Sequence, residues 1–217
     1  GVIANDHVNF DLQKGEIHAL VGENGAGKST MMKTLFGIHQ QDEGEIYYKG
    51  ERLEVEDPND AIDAGIGMVH QHFMLVPPLT VAENIILGEE PTEGLGHIDL
   101  DSAVEKIEKL SQEYGLDVDP HAKIKDISVG MEQRVEILKA LYREVDVLIL
   151  DEPTAVLTPQ EVKGLYRIMN TLKEQGKSII FITHKLKEVL AISDRVTVLR
   201  DGETVGTEQT AETSEPE

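Results

Sequence analysis

The densest chemical signal in the chain is the run Gly22-Glu23-Asn24-Gly25-Ala26-Gly27-Lys28-Ser29-Thr30, which matches the spacing G-x-x-x-x-G-K-[ST]. Glycines at that spacing let a backbone fold around a phosphate chain with its N–H groups turned inward. A helix starting just after the loop adds the positive end of its dipole. In such a loop Lys28 brings a point charge to the phosphates, and the Ser29 hydroxyl stands where it can hold Mg²⁺. A second signal is the pair Asp151-Glu152 at the end of the apolar run Val147-Leu148-Ile149-Leu150. Acids that emerge from the carboxyl end of a buried strand stand where ligands bind in parallel sheets. Alone, the pair reads as surface carboxylates. With the loop upstream, Asp151 is expected to help hold Mg²⁺ through water, and Glu152 to polarise a water attacking the γ-phosphate. His184 follows a third apolar run, Ile179-Ile180-Phe181-Ile182, and is a candidate to hydrogen-bond the γ-phosphate and orient the water. His70 and His72 flank Gln71 without an evident third ligand, so no zinc site is expected there.

The elements that must position these residues are legible from periodicity. Ile17-His18-Ala19-Leu20-Val21 reads as a short buried strand, then comes the loop, then Met32, Leu35 and Phe36 at helical spacing. The stretch 45–49, bounded by Gly44 and Gly50, reads as an antiparallel strand, and 66–69 as another strand. Phe10 falls within a first β pattern as a core residue. From Leu75 the character turns helical, with Ala103, Val104, Ile107, Leu110 and Tyr114 on one stripe and Gly115 as its stop. The β pattern returns at 147–150, 179–182 and 196–199 as continuous apolar runs, which suit parallel strands covered on both faces. Thr158-Pro159-Gln160-Glu161 is a capping box that opens a further helix. Together these predict an α/β fold with a mostly parallel sheet, an antiparallel β part and an inserted helical unit. The predicted division is a core of 1–74 and 143–217 around a helical subdomain of 75–142. Residues 210–217 read as a solvated tail, and the chain reads as a fragment of a longer one.

Composition bounds the function classes. The 217 residues contain 20 Lys plus Arg against 41 Asp plus Glu, a formal charge of -21, which repels phosphate backbones and anionic lipid surfaces, so nucleic acid is not expected as a partner. There is no cysteine, which excludes disulfides and thiolate metal sites and is compatible with a reducing, cytoplasmic setting. No apolar run approaches the roughly 20 residues of a spanning helix, so any membrane role is borrowed from a partner.

In its motifs and their order the sequence resembles the nucleotide-binding domain of ABC transporters over essentially its whole length. Gly22 to Thr30 is similar to the family's Walker A motif, and Val147 to Glu152 to Walker B with the catalytic glutamate. Gln71, ahead of Leu79-Thr80-Val81-Ala82-Glu83-Asn84, resembles the Q-loop, which in the family touches Mg²⁺ and senses the permease. His184 resembles the switch histidine. The family signature falls on Ile127-Ser128-Val129-Gly130-Met131; Ser128 and Gly130 match, whereas Val129 and Met131 depart. Read as a bare sequence, Ser128 is equally an ordinary helix cap. Thr158 stands where the family has an aspartate, and the adenine-stacking aromatic would precede Gly1.

The resemblance implies a P-loop NTPase fold and ATP with Mg²⁺ as ligands. Lys28, Gln71, Glu152 and His184 would serve catalysis. Residues 22–30, Gln71 and Asp151 would hold nucleotide, Ser29, Gln71 and Asp151 the metal, and Ser128 and Gly130 would face a partner's ATP. The implied partners are a second cassette, membrane permease subunits and, indirectly, a substrate-binding protein. The implied place is the cytoplasmic face of the membrane, peripheral and held by the permease. The phrases around Ser128 and Asp151 are most similar to the first cassette of simple-sugar and nucleoside importers. The competing class is a soluble ABC ATPase without a permease, acting as a nucleotide-dependent switch. The acidic surface and the lack of a long insertion between Gln71 and Ser128 argue against it.

Overall fold

Four strands buried on both faces, with a fifth half-exposed strand beside them, organise the chain. They are apolar at nearly every position, and alternate side chains feed two separate cores. The computed structural model describes residues 3–93 and 97–213, so Gly1, Val2 and the acids Glu215 and Glu217 lie outside the described residues. In chain order the elements are β1 (Ile17–Val21), α1 (Lys28–Leu35), β2 (Ile46–Tyr48), β3 (Glu51–Leu53), α2 (Pro58–Asp63), β4 (Ile66–Val69), α3 (Val81–Ile86), β5 (Thr92–Glu93) and β6 (His97–Ile98). They continue with α4 (Leu100–Glu113), α5 (Val129–Tyr142), β7 (Val147–Asp151), α6 (Pro159–Glu174), β8 (Ser178–Thr183), α7 (Leu186–Ile192), β9 (Arg195–Arg200) and β10 (Glu203–Gln209).

The main sheet has the order β10-β9-β1-β8-β7-β4. Its strands are parallel except β10, which returns antiparallel along β9 with a bulge between Thr204 and Gly206. On one face Ile17, Ala19, Leu148, Leu150, Ile179 and Phe181 meet buried residues of α3 to α7. On the other, Leu20, Ile149, Ile180 and Ile182 meet Met32 and Phe36 of the α1 region and Ala61 of α2. The helices of the expected helical unit thus share one core with the sheet, through Val81, Ile85, Ile107, Val135 and Leu138.

Local sequence explains the joints. Lys49 and Gly50, both at positive φ (52° and 84°), make the two-residue turn between β2 and β3, the geometry that matches strand twist. Thr158 and Glu161 form the expected reciprocal cap on α6, and Thr80 with Glu83 forms another on α3.

Three expectations are corrected. The helical stretch is interrupted by the small β5–β6 pair. Phe10 lies in an irregular segment and not in a strand, half-buried with its ring 4.6 Å from that of His18. The tail begins docked: Thr210 is buried, its N–H donates to the Asp194 carbonyl (2.9 Å) and its hydroxyl pairs with that of Ser193 (2.9 Å).

Candidate functional site

Strand register brings the chemical residues to one edge. Val69 lies across from Leu150, Asp151 from Ile182, and Val21 from Thr183, so β4, β7, β8 and β1 end at one level. The segments that follow carry Gln71, Glu152, His184 and the glycine-rich loop. This is the carboxyl end of a parallel sheet, where side chains from different strands converge.

The loop's shape depends on its glycines. Gly25 and Gly27 sit at φ +86° and +96°, a region that L side chains rarely adopt. A Cβ at Gly22 would strike the Leu199 carbonyl, and one at Gly27 the Ala4 carbonyl and the Asn5 amide. Gly27 is the N-cap of α1 and supplies no side-chain acceptor, which leaves the helix's first N–H groups for a ligand. Glu23, Asn24 and Ala26 complete the loop, with the Ala26 N–H donating to the Glu23 carbonyl (3.1 Å). Thr30 lies in the first turn of α1, its carbonyl accepting from the Thr34 hydroxyl (3.1 Å). Lys28 folds over the loop and donates from Nζ to the carbonyls of Gly22 (2.8 Å) and Glu23 (2.9 Å). Burial lowers the affinity of its amine for a proton, against the opposing pull of the Glu152 and Asp151 charges.

The Ser29 hydroxyl donates to Asp151 Oδ1 at 3.1 Å. Asp151 itself is buried, and that burial raises its carboxyl above the usual range; the Ser29 bond opposes the shift and the neighbouring Glu152 charge adds to it. A hydroxyl beside a carboxylate at the mouth of a phosphate loop is a donor set that suits Mg²⁺, which takes few protein oxygens and fills its shell with phosphate and water. Next to it, Glu152 is held at φ +46° and its N–H donates to the Ile182 carbonyl (3.1 Å). Its Oε1 is 3.2 Å from His184 Nδ1, so the acid and the histidine form a pair across β7 and β8.

Gln71 follows β4 with an exposed side chain that makes no hydrogen bond among the described residues. The segment after it is anchored to α5, where buried Glu136 accepts the Met74 N–H at 2.6 Å. Ser128 caps α5 by accepting the Met131 N–H (3.2 Å), and Gly130 is buried against the Glu161 side chain. No hydrogen bond or ion pair joins Ser128 or Gly130 to the loop among the described residues.

Two supports of the loop escaped sequence reasoning. Asn5 donates from Nδ2 to the Gly27 carbonyl (3.2 Å). The β9–β10 turn donates from the Gly202 N–H to the Ala26 carbonyl (3.2 Å) and accepts the Asp6 N–H (2.7 Å). Both contacts are long-range and use small polar or glycine residues, which carry no periodic signal.

Comparison with known proteins agrees in family and fold. The family model described as ABC transporter matches residues 5–155. The chain is 58% identical to the guanosine import ATP-binding protein NupO of Bacillus subtilis, over 100% of this chain and 42% of that protein. It is 58% identical to the nucleoside import ATP-binding protein NupA of Lactococcus lactis, over 94% and 40%. The third relative is the glucose import ATP-binding protein TsgD13 of Haloferax volcanii, 54% identical over 99% and 44%. The chain thus spans less than half the length of these curated relatives. Among solved structures, a nucleotide-free ATP-binding cassette from an ABC transporter superposes with a TM-score of 0.82 at 27% identity, over 95% of this chain and 85% of that one. A dimeric cassette in a post-hydrolysis state, bound to ADP and Pi, superposes with a TM-score of 0.79 at 25% identity, over 96% and 91%. A family match over residues 5–155, backed by relatives more than half identical along nearly all of the chain, means that this chain belongs to the ABC transporter family.

Proposed function

We propose that this chain binds and hydrolyses ATP as the motor cassette of an importer for a nucleoside or a simple sugar. The observation that carries the reading is the convergence of a glycine-dependent phosphate loop, a Ser29–Asp151 oxygen pair and a Glu152–His184 pair at one sheet edge. The amides of residues 25–30 cradle the phosphates, and Lys28 exchanges its carbonyl partners for phosphate oxygens. Glu152 accepts a proton from the water that attacks the γ-phosphorus, while His184 orients Glu152 and that water. The water oxygen bonds to phosphorus, the bond to the β–γ bridging oxygen breaks, and ADP departs with that electron pair. Ser29, Asp151 and Gln71 hold Mg²⁺, which when bound neutralises charge on the phosphate oxygens.

At a larger scale, we assign residues 1–74 and 143–217 to an ATP-binding core and 75–142 to a helical signature unit. Ser128 and Gly130 face the nucleotide of a second cassette. The surface around Gln71 meets permease subunits on the cytoplasmic face of the membrane, and the permease in turn receives its cargo from a substrate-binding protein. The relatives named above are import proteins for guanosine, nucleosides and glucose, which supports the importer reading over a soluble switch. No helix among the described residues is long and apolar enough to cross a membrane.

Glu152→Gln is expected to keep MgATP binding and to lose turnover by roughly 10²-fold or more, because shape survives and the base is lost. Lys28→Ala is expected to lose binding itself. Equal turnover in Glu152→Gln and wild type would remove Glu152 from its role, and normal affinity in Lys28→Ala would remove the phosphate-loop reading.

A further inference from the structure

The reacting pair, Glu152 and His184, sits just past two neighbouring strand ends, which a backbone bond from the Glu152 N–H to the Ile182 carbonyl (3.1 Å) ties together. Behind it lies a buried polar cluster that the sequence reading does not use. Thr154 follows Glu152 by two residues, Thr183 immediately precedes His184, and both hydroxyls are buried. Each donates to the same carboxylate: Thr154 Oγ1 to Glu188 Oε1 at 2.7 Å, and Thr183 Oγ1 to Glu188 Oε2 at 2.8 Å. Glu188 is itself buried on α7 and is a salt-bridge partner of Lys185, whose Nζ is 3.1 Å from Oε1.

The direction of these bonds is over-determined. Thr183 Oγ1 also accepts the Lys185 N–H (3.1 Å), and Thr154 Oγ1 accepts from Lys185 Nζ (3.2 Å). With those donors in place, each hydroxyl proton turns to the carboxylate. One rigid planar group therefore spans the two strand ends, one oxygen to each. Hydrogen bonds to an ionised acceptor are shorter and stronger than neutral ones, and a buried acceptor left unmatched is costly, so the bridge resists opening.

We propose that Glu188 is a positioning residue for hydrolysis, setting the Glu152–His184 separation by clamping Thr154 and Thr183. This rests on the reading of Glu152 and His184 given above. Among the described residues Glu188 makes no hydrogen bond or ion pair with Glu152 or His184; it acts through its two threonines. Small errors in the placement of a reacting group are expensive, so loss of the clamp should appear in kcat and spare binding, which depends on the loop after β1.

The test is steady-state ATP hydrolysis and nucleotide binding in the full-length protein, comparing Glu188→Ala and Glu188→Gln in wild-type and His184→Ala backgrounds. Glu188→Ala is expected to lower kcat by about tenfold or more with KM and binding near wild type, and Glu188→Gln, which keeps one acceptor oxygen, to retain more. In the His184→Ala background Glu188→Ala is expected to add nothing, because the pair it sets is already gone. An unchanged kcat in folded Glu188→Ala overturns the proposal, and so does an equal loss in both backgrounds. Should Glu188→Ala fail to fold, Thr183→Val and Thr154→Val each delete one arm while keeping side-chain shape, and unchanged kcat in both overturns it equally. If Glu152→Gln turns over like wild type, the hydrolysis reading fails first; if Glu152→Gln is slow while Glu188 is indifferent, only the clamp fails.

Discussion

The residue that shows most plainly how function draws on stability is Asp151. Its carboxyl is raised by burial, which means the folded protein holds that proton longer than the unfolded chain does. A group shifted in this direction contributes stability that falls as pH climbs from the ordinary carboxylate range through its raised value, and the full cost is carried at neutral pH. Asp151→Asn keeps an acceptor for the Ser29 hydroxyl and removes the buried charge beside Glu152. It is expected to raise stability by about 1 kcal/mol at neutral pH while abolishing hydrolysis. Thermal unfolding of both proteins at about pH 7 and pH 4 checks this, with a wider gap at the higher value; a less stable Asp151→Asn at neutral pH would mean that the carboxylate is net stabilising. The acid pair, the lysine and the histidine were visible in the sequence because strand ends and loop spacing confine where such residues can stand. Asn5, Thr154, Thr183 and Glu188 were not, since nothing local distinguishes a buried Glu on an amphipathic helix from a solvated one.

Among the elements, α6 shows how a helix start serves two neighbours. Glu161 accepts from both the N–H and the hydroxyl of Thr158 (2.8 Å each), and its carboxylate also lies where a Cβ on Gly130 would stand. The start of α6 and the start of α5 therefore depend on one side chain. Thr158→Ala is expected to cost about 1 kcal/mol. Gly130→Ala pushes Glu161 off its cap and is expected to cost a similar amount, with the double variant no worse than about the larger single. Denaturant unfolding of the three variants decides it, and additive losses would uncouple the two helices. Strands β1, β4, β7 and β8 were legible because they are buried on both faces and read as largely apolar runs, and β9, half-exposed at Val198, because Val196, Val198 and Leu199 keep it mostly apolar. Strand β10 was not: it is an edge strand with Val205 exposed and polar residues around it, so pairing with β9 alone makes it a strand. The β5–β6 pair is too short to leave any pattern.

Across the whole molecule, a formal charge of -21 sets acid against acid over the surface, and among the described residues several ion pairs, such as Lys49–Asp146, Arg52–Glu45 and Lys106–Glu144, are exposed and worth little. Added salt screens the repulsion within a Debye length of about 10 Å at 0.1 M. The unfolding midpoint is therefore expected to rise as NaCl goes from a low value to about 0.5 M, and a falling midpoint would show that attractive pairs dominate. The order of the sheet carries a consequence of another kind. Strand β1, among the first parts of this chain to be made, lies between β8 and β9, more than 150 residues later, and the loop after it is held by the Gly202 N–H and the Asn5 side chain. During synthesis β1 waits without either neighbour until more than 150 further residues have emerged. Nascent chains stalled before Ser178 are expected to lack any affinity for nucleotide, with capture arising only once Gly202 clears the ribosome. On the proposed reading the nucleotide pocket matures only after both neighbours of β1 are in place, and a chain that grips nucleotide has already been checked across its main sheet.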